Sequence, residues 1–196
     1  IKLENNNLHQ LINDLAEIYH HQAENKGLRF LKDIDPAIPQ WMLFDETRLK
    51  QVLMNLLSNA IKFTSKGEVK FSVSGKDKKV GDNNEVLVRF SVQDTGVGIP
   101  EDKINDIFSP FVQAYQGLNR EYGGTGLGLT IANELVKRMG GDGLHCLSKE
   151  GKGSTFWFVL PMQLGKREKD WTETRKIEGA GFSKMRVLVA DDSQEN

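Results

Sequence analysis

The chain has 196 residues, room for one ordinary domain with a fragment beside it, and a core of that size needs no covalent staples. A net charge of −1, with acidic and basic residues well mixed, gives no electrostatic reason to expect nucleic acid or direct contact with an anionic membrane. The single cysteine, Cys146, excludes an internal disulfide and a cysteine-paired zinc site, and suits a reducing cytoplasm. Leu8, Leu11, Ile12, Leu15, Ile18 and Tyr19 recur at helical spacing, with Gly27 as a stop. Leu28, Phe30 and Ile34 alternate with charged residues as in a strand, and Pro36 and Pro39 interrupt the chain before Trp41–Phe44. Asp45 is placed to cap a long helix over 46–63, with Leu49, Val52, Leu53, Leu56 and Ala60 as its apolar stripe. Strands follow around Val69, Phe71 and Val73, and over Glu85–Asp94, joined by a polar loop over 76–84.

From Thr95 to Gly123 the periodicity fades, apart from a short helix expected over 101–108, and so long an irregular stretch in a compact domain is usually functional. Glycines 123, 124, 126 and 128 then open a helix that should end near Met139-Gly140-Gly141. Leu144–Lys149 and Ser154–Leu160 make a closing strand pair. Residues 165–184 read as a polar linker, and Met185–Ala190 is a fresh apolar run ending in Asp191 and Asp192. The order of elements favours an α/β (α+β) two-layer sandwich, a mixed and largely antiparallel sheet with helices on one face, over a doubly wound parallel sheet. A start at Ile1 without methionine and an end just past an apolar strand read as a piece of a longer protein. A membrane anchor elsewhere in that parent stays open.

Three stretches carry chemistry. Asn55, Asn59 and Lys62 fall within roughly 60° of one another on a helix, at about 100° per residue. Carboxamide oxygens one turn apart suit a hard cation such as Mg²⁺, and a lysine one turn on can balance phosphate charge. A solvated helix face is the plainer alternative, although asparagine is a poor helix former. Asp94-Thr-Gly96-Val-Gly98 sits at a strand end, where a carboxylate can accept from an exocyclic amine and glycines let backbone approach a flat ring. A simple strand-to-loop turn is the alternative there. Gly123-Gly124-Thr125-Gly126-Leu127-Gly128-Leu129 opens a helix, where bare backbone N–H groups make an anion site; a glycine-rich connector is the plainer view. Neither G-x-G-x-x-G nor G-x-x-x-x-G-K-[ST] occurs, so dinucleotide-fold and P-loop phosphate sites are both excluded.

Taken in order, these stretches resemble the ATP-binding catalytic domain of sensor histidine kinases, in the superfamily with gyrase, the Hsp90 chaperones and MutL. The N-box is Asn55–Lys62 with Phe63-Thr64, G1 is Asp94–Gly98, the F-box is Phe108-Ser-Pro-Phe111, and G2 is Gly124–Leu129. Gly153-Ser154-Thr155-Phe156 is similar to the last motif of the family. The resemblance covers about residues 8–162 and implies the Bergerat ATP-binding fold, with a catalytic domain over 1–164. It implies Mg²⁺ ligation by Asn59, with Asn55 nearby and Lys62 on phosphate. It also implies adenine recognition by Asp94, with Thr155 beside it through water. Gly96 and Gly98 would shape the base pocket, and Gly124, Thr125, Gly126, Leu127, Gly128 and Leu129 would cradle phosphates, with Arg120 a further contact. Residues 100–123 would form a lid anchored by Phe108 and Phe111.

The gyrase-like ATPases carry a glutamate at the position of Asn55, where it activates water. An amide cannot act as a general base at neutral pH. The resemblance therefore implies Mg·ATP aligned for transfer to another nucleophile, a histidine on a separate dimerisation domain of the same protein, itself expected to be a homodimer. None of His9, His20, His21 and His145 has the sequence context of that acceptor, so the chain alone should bind ATP without phosphorylating itself. Residues 185–196 resemble the first strand of a receiver domain, which would make the parent a hybrid kinase passing phosphate to its own aspartate. An ATP-driven clamp, and a domain binding nucleotide or a regulator without transfer, are the competing readings.

Overall fold

The computed structural model describes residues 1–78, 85–112 and 126–166. The chain enters through β1 (Glu4–Asn7), followed by α1 (Leu8–Asn25), β2 (Arg29–Ile34), β3 (Trp41–Phe44) and α2 (Glu46–Phe63). Then come β4 (Glu68–Lys78), β5 (Glu85–Asp94), two 3₁₀ turns at Glu101–Lys103 and Asp106–Phe108, α3 (Gly128–Arg138), β6 (His145–Lys149) and β7 (Gly153–Leu164). Among the described residues seven strands form one sheet in the order β1-β3-β7-β5-β4-β2, with β6 also paired to β7. Only β2 and β4 run parallel; every other pairing is antiparallel. This is the mixed, largely antiparallel two-layer arrangement expected from the order of elements.

Alternation decides which face of the sheet is covered. Val69, Phe71 and Val73 on β4, Val86, Val88, Phe90 and Val92 on β5, and Phe158, Leu160 and Met162 on β7 share a face by register and are all buried. The buried stripes of α1 and α2, with Ala132 and Val136 of α3, join the same core. Phe90 and Phe158 stack at its centre, ring centroids 5.0 Å apart. Truncating either to alanine should cost roughly 3–5 kcal/mol. On the opposite face Arg89, Trp157 and His145 form a ladder, the guanidinium 4.9 Å and the imidazole 5.4 Å from the indole centroid.

Helix ends follow capping chemistry. Asn7 accepts from Gln10 N at 3.0 Å to open α1, and Asp45 accepts from Arg48 N at 3.0 Å to open α2, as its sequence position predicts. Asp45 also accepts from Lys2 N at 2.8 Å, which ties the incoming chain to α2. The last carbonyls of α2 are taken up by Thr64 Oγ1 on Ala60 O and by Lys26 Nζ on Ile61 O and Lys62 O. Two expectations fail here, and one strand goes unannounced. Ile18, assigned to the apolar stripe of α1, is half exposed. Strand β1, an all-polar edge strand, carries no apolar alternation to announce it, and it exists because β3 offers it an open edge. The helix expected over 101–108 is instead the two short 3₁₀ turns.

Candidate functional site

The helix α2 is the common wall of the site. Asn55 and Asn59 lie one turn apart on it and bond to each other, Asn59 Nδ2 donating to Asn55 Oδ1 at 3.2 Å. That bond leaves Asn59 Oδ1, the amide atom able to ligate a cation, uncommitted to Asn55. Lys62, on the following turn, carries its ammonium 5.0 Å above the ring of Phe63. Across from Asn55 stands the first residue of α3: a Cβ at Gly128 would collide with Asn55 Nδ2, so glycine leaves the Asn55 amide its place. Leu127, just before α3, provides no side-chain cap, and the helix therefore opens with backbone N–H groups that an anion can satisfy. Leu129 packs against the core, and Gly126 O accepts from Phe111 N at 3.2 Å.

At the C-terminal end of the same helix lies Asp94, the last residue of β5 and buried. Its Oδ1 accepts from Gly96 N at 2.8 Å and Ser154 N at 3.3 Å. Burial nevertheless raises the carboxyl pKa above its ordinary value, outweighing the two backbone hydrogen bonds that lower it. A desolvated carboxylate with one oxygen committed to backbone is suited to accept from a neutral donor through the other. Nearby, Cys146 is pushed up to about 12 by burial first and by the charge of Asp94 second, and so is an inert neutral thiol.

The sequence-predicted residues divide accordingly. The structure brings together Asn55, Asn59, Gly128 and the start of α3, and separately Asp94, Gly96 and Gly98. Arg120, Gly124 and Thr125 lie outside the described residues, as do the linker and the apolar run ending in Asp191 and Asp192. The structure corrects two assignments and adds a steric reason for two glycines. Thr155 stands opposite Gln93 and Leu147 in the register, on the face of the sheet away from Asp94; the residue beside Asp94 is Ser154. Phe108 packs against the core as expected, but Phe111 is 72% exposed, so its backbone N–H rather than its ring ties down this end of the loop. Gly96 and Gly98 have a closer reason to be glycine than an incoming ring. A Cβ at Gly96 would strike Phe63 O, and one at Gly98, whose φ is +70°, would strike Lys149 O.

Sequence reasoning missed Ser148 and Ser154. Ser148 Oγ accepts from Ile99 N at 2.8 Å, donates to Gly153 O at 3.1 Å and lies 2.8 Å from Ser154 Oγ. A serine in a strand pair gives no local signal of this; only the register that seats β6 against β7 reveals it. Among the described residues no group of three His, Cys, Asp or Glu side chains gathers to hold a metal. No helix among them is long and apolar enough to cross a membrane.

Residues 44–164 match the family described as histidine kinase-, DNA gyrase B- and HSP90-like ATPases. The chain is 38% identical over 199 residues to the autoinducer 2 sensor kinase/phosphatase LuxQ of Vibrio vulnificus, covering 100% of this chain and 23% of LuxQ. It is 37% identical over 157 residues to the signal transduction histidine-protein kinase BarA of Escherichia coli, covering 80% of this chain and 17% of BarA. The chain thus spans less than a quarter of the length of these relatives. Among solved structures, full-length ShkA in complex with AMPPNP superposes with a TM-score of 0.69 at 33% identity, over 84% of this chain and 32% of ShkA. With the family match covering most of the described residues, the chain belongs to the histidine kinase-, DNA gyrase B- and HSP90-like ATPases.

Proposed function

We propose that the chain binds Mg·ATP between α2 and α3 and donates the γ-phosphoryl group to a histidine on a dimerisation domain of the same protein, as the donor half of a hybrid kinase phosphorelay. The observation that carries this reading is the amide pair of α2. Asn55 and Asn59 are hydrogen-bonded to each other and set against the glycine that opens α3. An amide at Asn55 cannot take a proton from water, so the site favours transfer to a protein nucleophile over hydrolysis. The relatives named above are sensor kinases, which supports the same choice.

In this reading the adenine amine donates to Asp94, and the phosphates lie on the opening N–H groups of α3 and residues 124–129, with Lys62 and Arg120 offsetting their charge. Magnesium, bound with the nucleotide, supplies charge neutralisation on the phosphates, and Asn59 Oδ1 is the ligand this chain offers it. A site with so few hard ligands fits a cation that arrives with its nucleotide better than one held in a protein cage. The chain's task is alignment. It holds the γ-phosphorus in line with a histidine nitrogen of the partner domain, the new P–N bond forms, the bond to the β-phosphate oxygen breaks, and ADP leaves. The chain's own histidines are otherwise engaged. His9 Nε2 lies 2.9 Å from Ile38 O, His20 and His21 face Glu24, and His145 stacks on Trp157 and pairs with Asp142. Beyond residue 184, a receiver domain in cis would take the phosphate onward in a homodimeric parent.

The test mixes the chain with the separately prepared dimerisation domain of its parent and γ-labelled ATP. Acid-labile, base-stable label on that domain is the expected result. Label absent while calorimetry still shows ATP binding would leave a nucleotide-binding domain without transfer. Steady ATP turnover by the chain alone would favour the hydrolytic clamp.

A further inference from the structure

The loop Gly96–Ile99 is held on both sides, and one side chain closes the second side. On the helix side, Val97 N donates to Phe63 O at 3.3 Å. On the sheet side, Gly151 N donates to Val97 O at 2.7 Å, and Ile99 N donates to Ser148 Oγ at 2.8 Å. Ser148 is saturated. It accepts from Ile99 N, donates to Gly153 O, and its remaining lone pair receives the hydroxyl of Ser154, whose own N–H is on Asp94 Oδ1. A continuous hydrogen-bonded path therefore runs from Ile99 through Ser148 and Ser154 to Asp94. Gly153, the acceptor in this hub, has no room for a Cβ beside the carbonyl of Asp94.

We propose that Ser148 is a positioning residue for base recognition: its hydroxyl fixes the spacing between the Gly96–Ile99 loop and the Asp94 carboxylate. This rests on the reading of Asp94 as the acceptor of the adenine amine. Ser148 does not touch the base; it sets the width of the slot the base enters. Without the hydroxyl, Ile99 N–H and Ser154 Oγ both lose a partner in a half-buried hairpin, and the Ile99 end of the loop loses its tie to β6 while Val97 keeps its bonds to Phe63 and Gly151. Such a defect loosens discrimination between purines and leaves the Asn55–Asn59 end, on the middle of α2, as it was.

The test is calorimetric titration of the full chain and of the variants Ser148→Ala, Ser148→Cys, Ser148→Thr and Asp94→Asn with ATP, ADP and GTP. Expected is a loss of affinity on the order of tenfold for ATP and ADP alike in Ser148→Ala, a narrowed ATP-over-GTP preference, and recovery in Ser148→Thr, which keeps the hydroxyl. Ser148→Cys keeps the volume and weakens the acceptor, so it should follow the alanine variant and covers the case in which Ser148→Ala fails to fold. Native purine preference in Ser148→Ala or Ser148→Cys, with Asp94→Asn impaired, overturns the proposal and spares the adenine reading. Native behaviour in all variants, Asp94→Asn included, overturns both.

Discussion

The two ends of the site along α2 are built on different plans. At the Asp94 end backbone N–H groups are tied from several sides: those of Gly96 and Ser154 to the carboxylate, Val97 to Phe63 O, Gly151 to Val97 O, and Ile99 to the Ser148 hydroxyl. At the Asn55 end Asn59 Nδ2 donates to Asn55 Oδ1, Ser58 Oγ donates to Asn55 O, and the helix start across from them has no side-chain cap. The difference follows from what each end would bind. A flat base is discriminated by fixed distances, and backbone braced from several directions supplies them. A charged phosphate chain carries its own strong electrostatics, so donors aimed at it suffice and little internal bonding is needed. The contrast teaches that substitutions at the two ends should separate, one altering which nucleotide binds and the other whether it reacts.

The largest effect should come from Asn59→Asp. It adds a charge where the reading places phosphate and replaces a neutral oxygen ligand, and phosphotransfer is expected to fall on the order of a hundredfold or more, read as initial rate of label transfer. Native transfer would remove Asn59 from the metal-bearing role. Asp94→Asn should come next and differ in kind. ATP affinity should fall on the order of ten- to a hundredfold while GTP binding changes little, by competition titration. If both nucleotides weaken equally, Asp94 supports the fold of the site and does not read the base.

Gly128→Ala sharpens the comparison at lower cost. Alanine is compatible with the first position of α3, but its methyl would displace the Asn55 amide and with it the bond to Asn59. Transfer should drop roughly tenfold with the melting temperature kept or raised, a separation that a merely destabilising change would not give.

Legibility in the sequence tracks the same divide. Helical spacing puts Asn55 and Asn59 on one face, and Asp45 announces the start of α2, because these are local properties of one element. The core faces of β4 and β5 are equally plain, since alternation there is unbroken from Val69 to Val73 and from Val86 to Val92. What stays hidden depends on register between distant strands. Ser154 rather than Thr155 faces Asp94 because β7 meets β5 with Ser154 opposite Asp94, and a shift of one residue would reverse the pair. Ser148 is hidden for the same reason, and β1 because an edge strand of Glu4-Asn5-Asn6-Asn7 has no apolar period to read.

The Asp94 end admits one more test, smaller and of opposite sign. Burial holds the Asp94 pKa above its ordinary value despite the N–H groups of Gly96 and Ser154. A carboxyl whose pKa is higher folded than unfolded contributes stability that is full below the unfolded pKa and lost as pH rises through the folded one. Near neutral pH the native chain therefore carries the cost of an ionised, desolvated carboxylate. Asp94→Asn removes that cost and keeps an oxygen for both backbone donors. The variant should unfold at an equal or higher temperature than the native chain at about pH 7.5, and its advantage should shrink in acid, as native Asp94 takes up its proton. Thermal unfolding followed by circular dichroism under the two conditions decides the matter. If the variant is instead the less stable at pH 7.5, the ionised carboxylate is holding the Gly96 and Ser154 backbone together. The bracing of this end would then begin with Asp94 itself and not with the loop and hairpin around it.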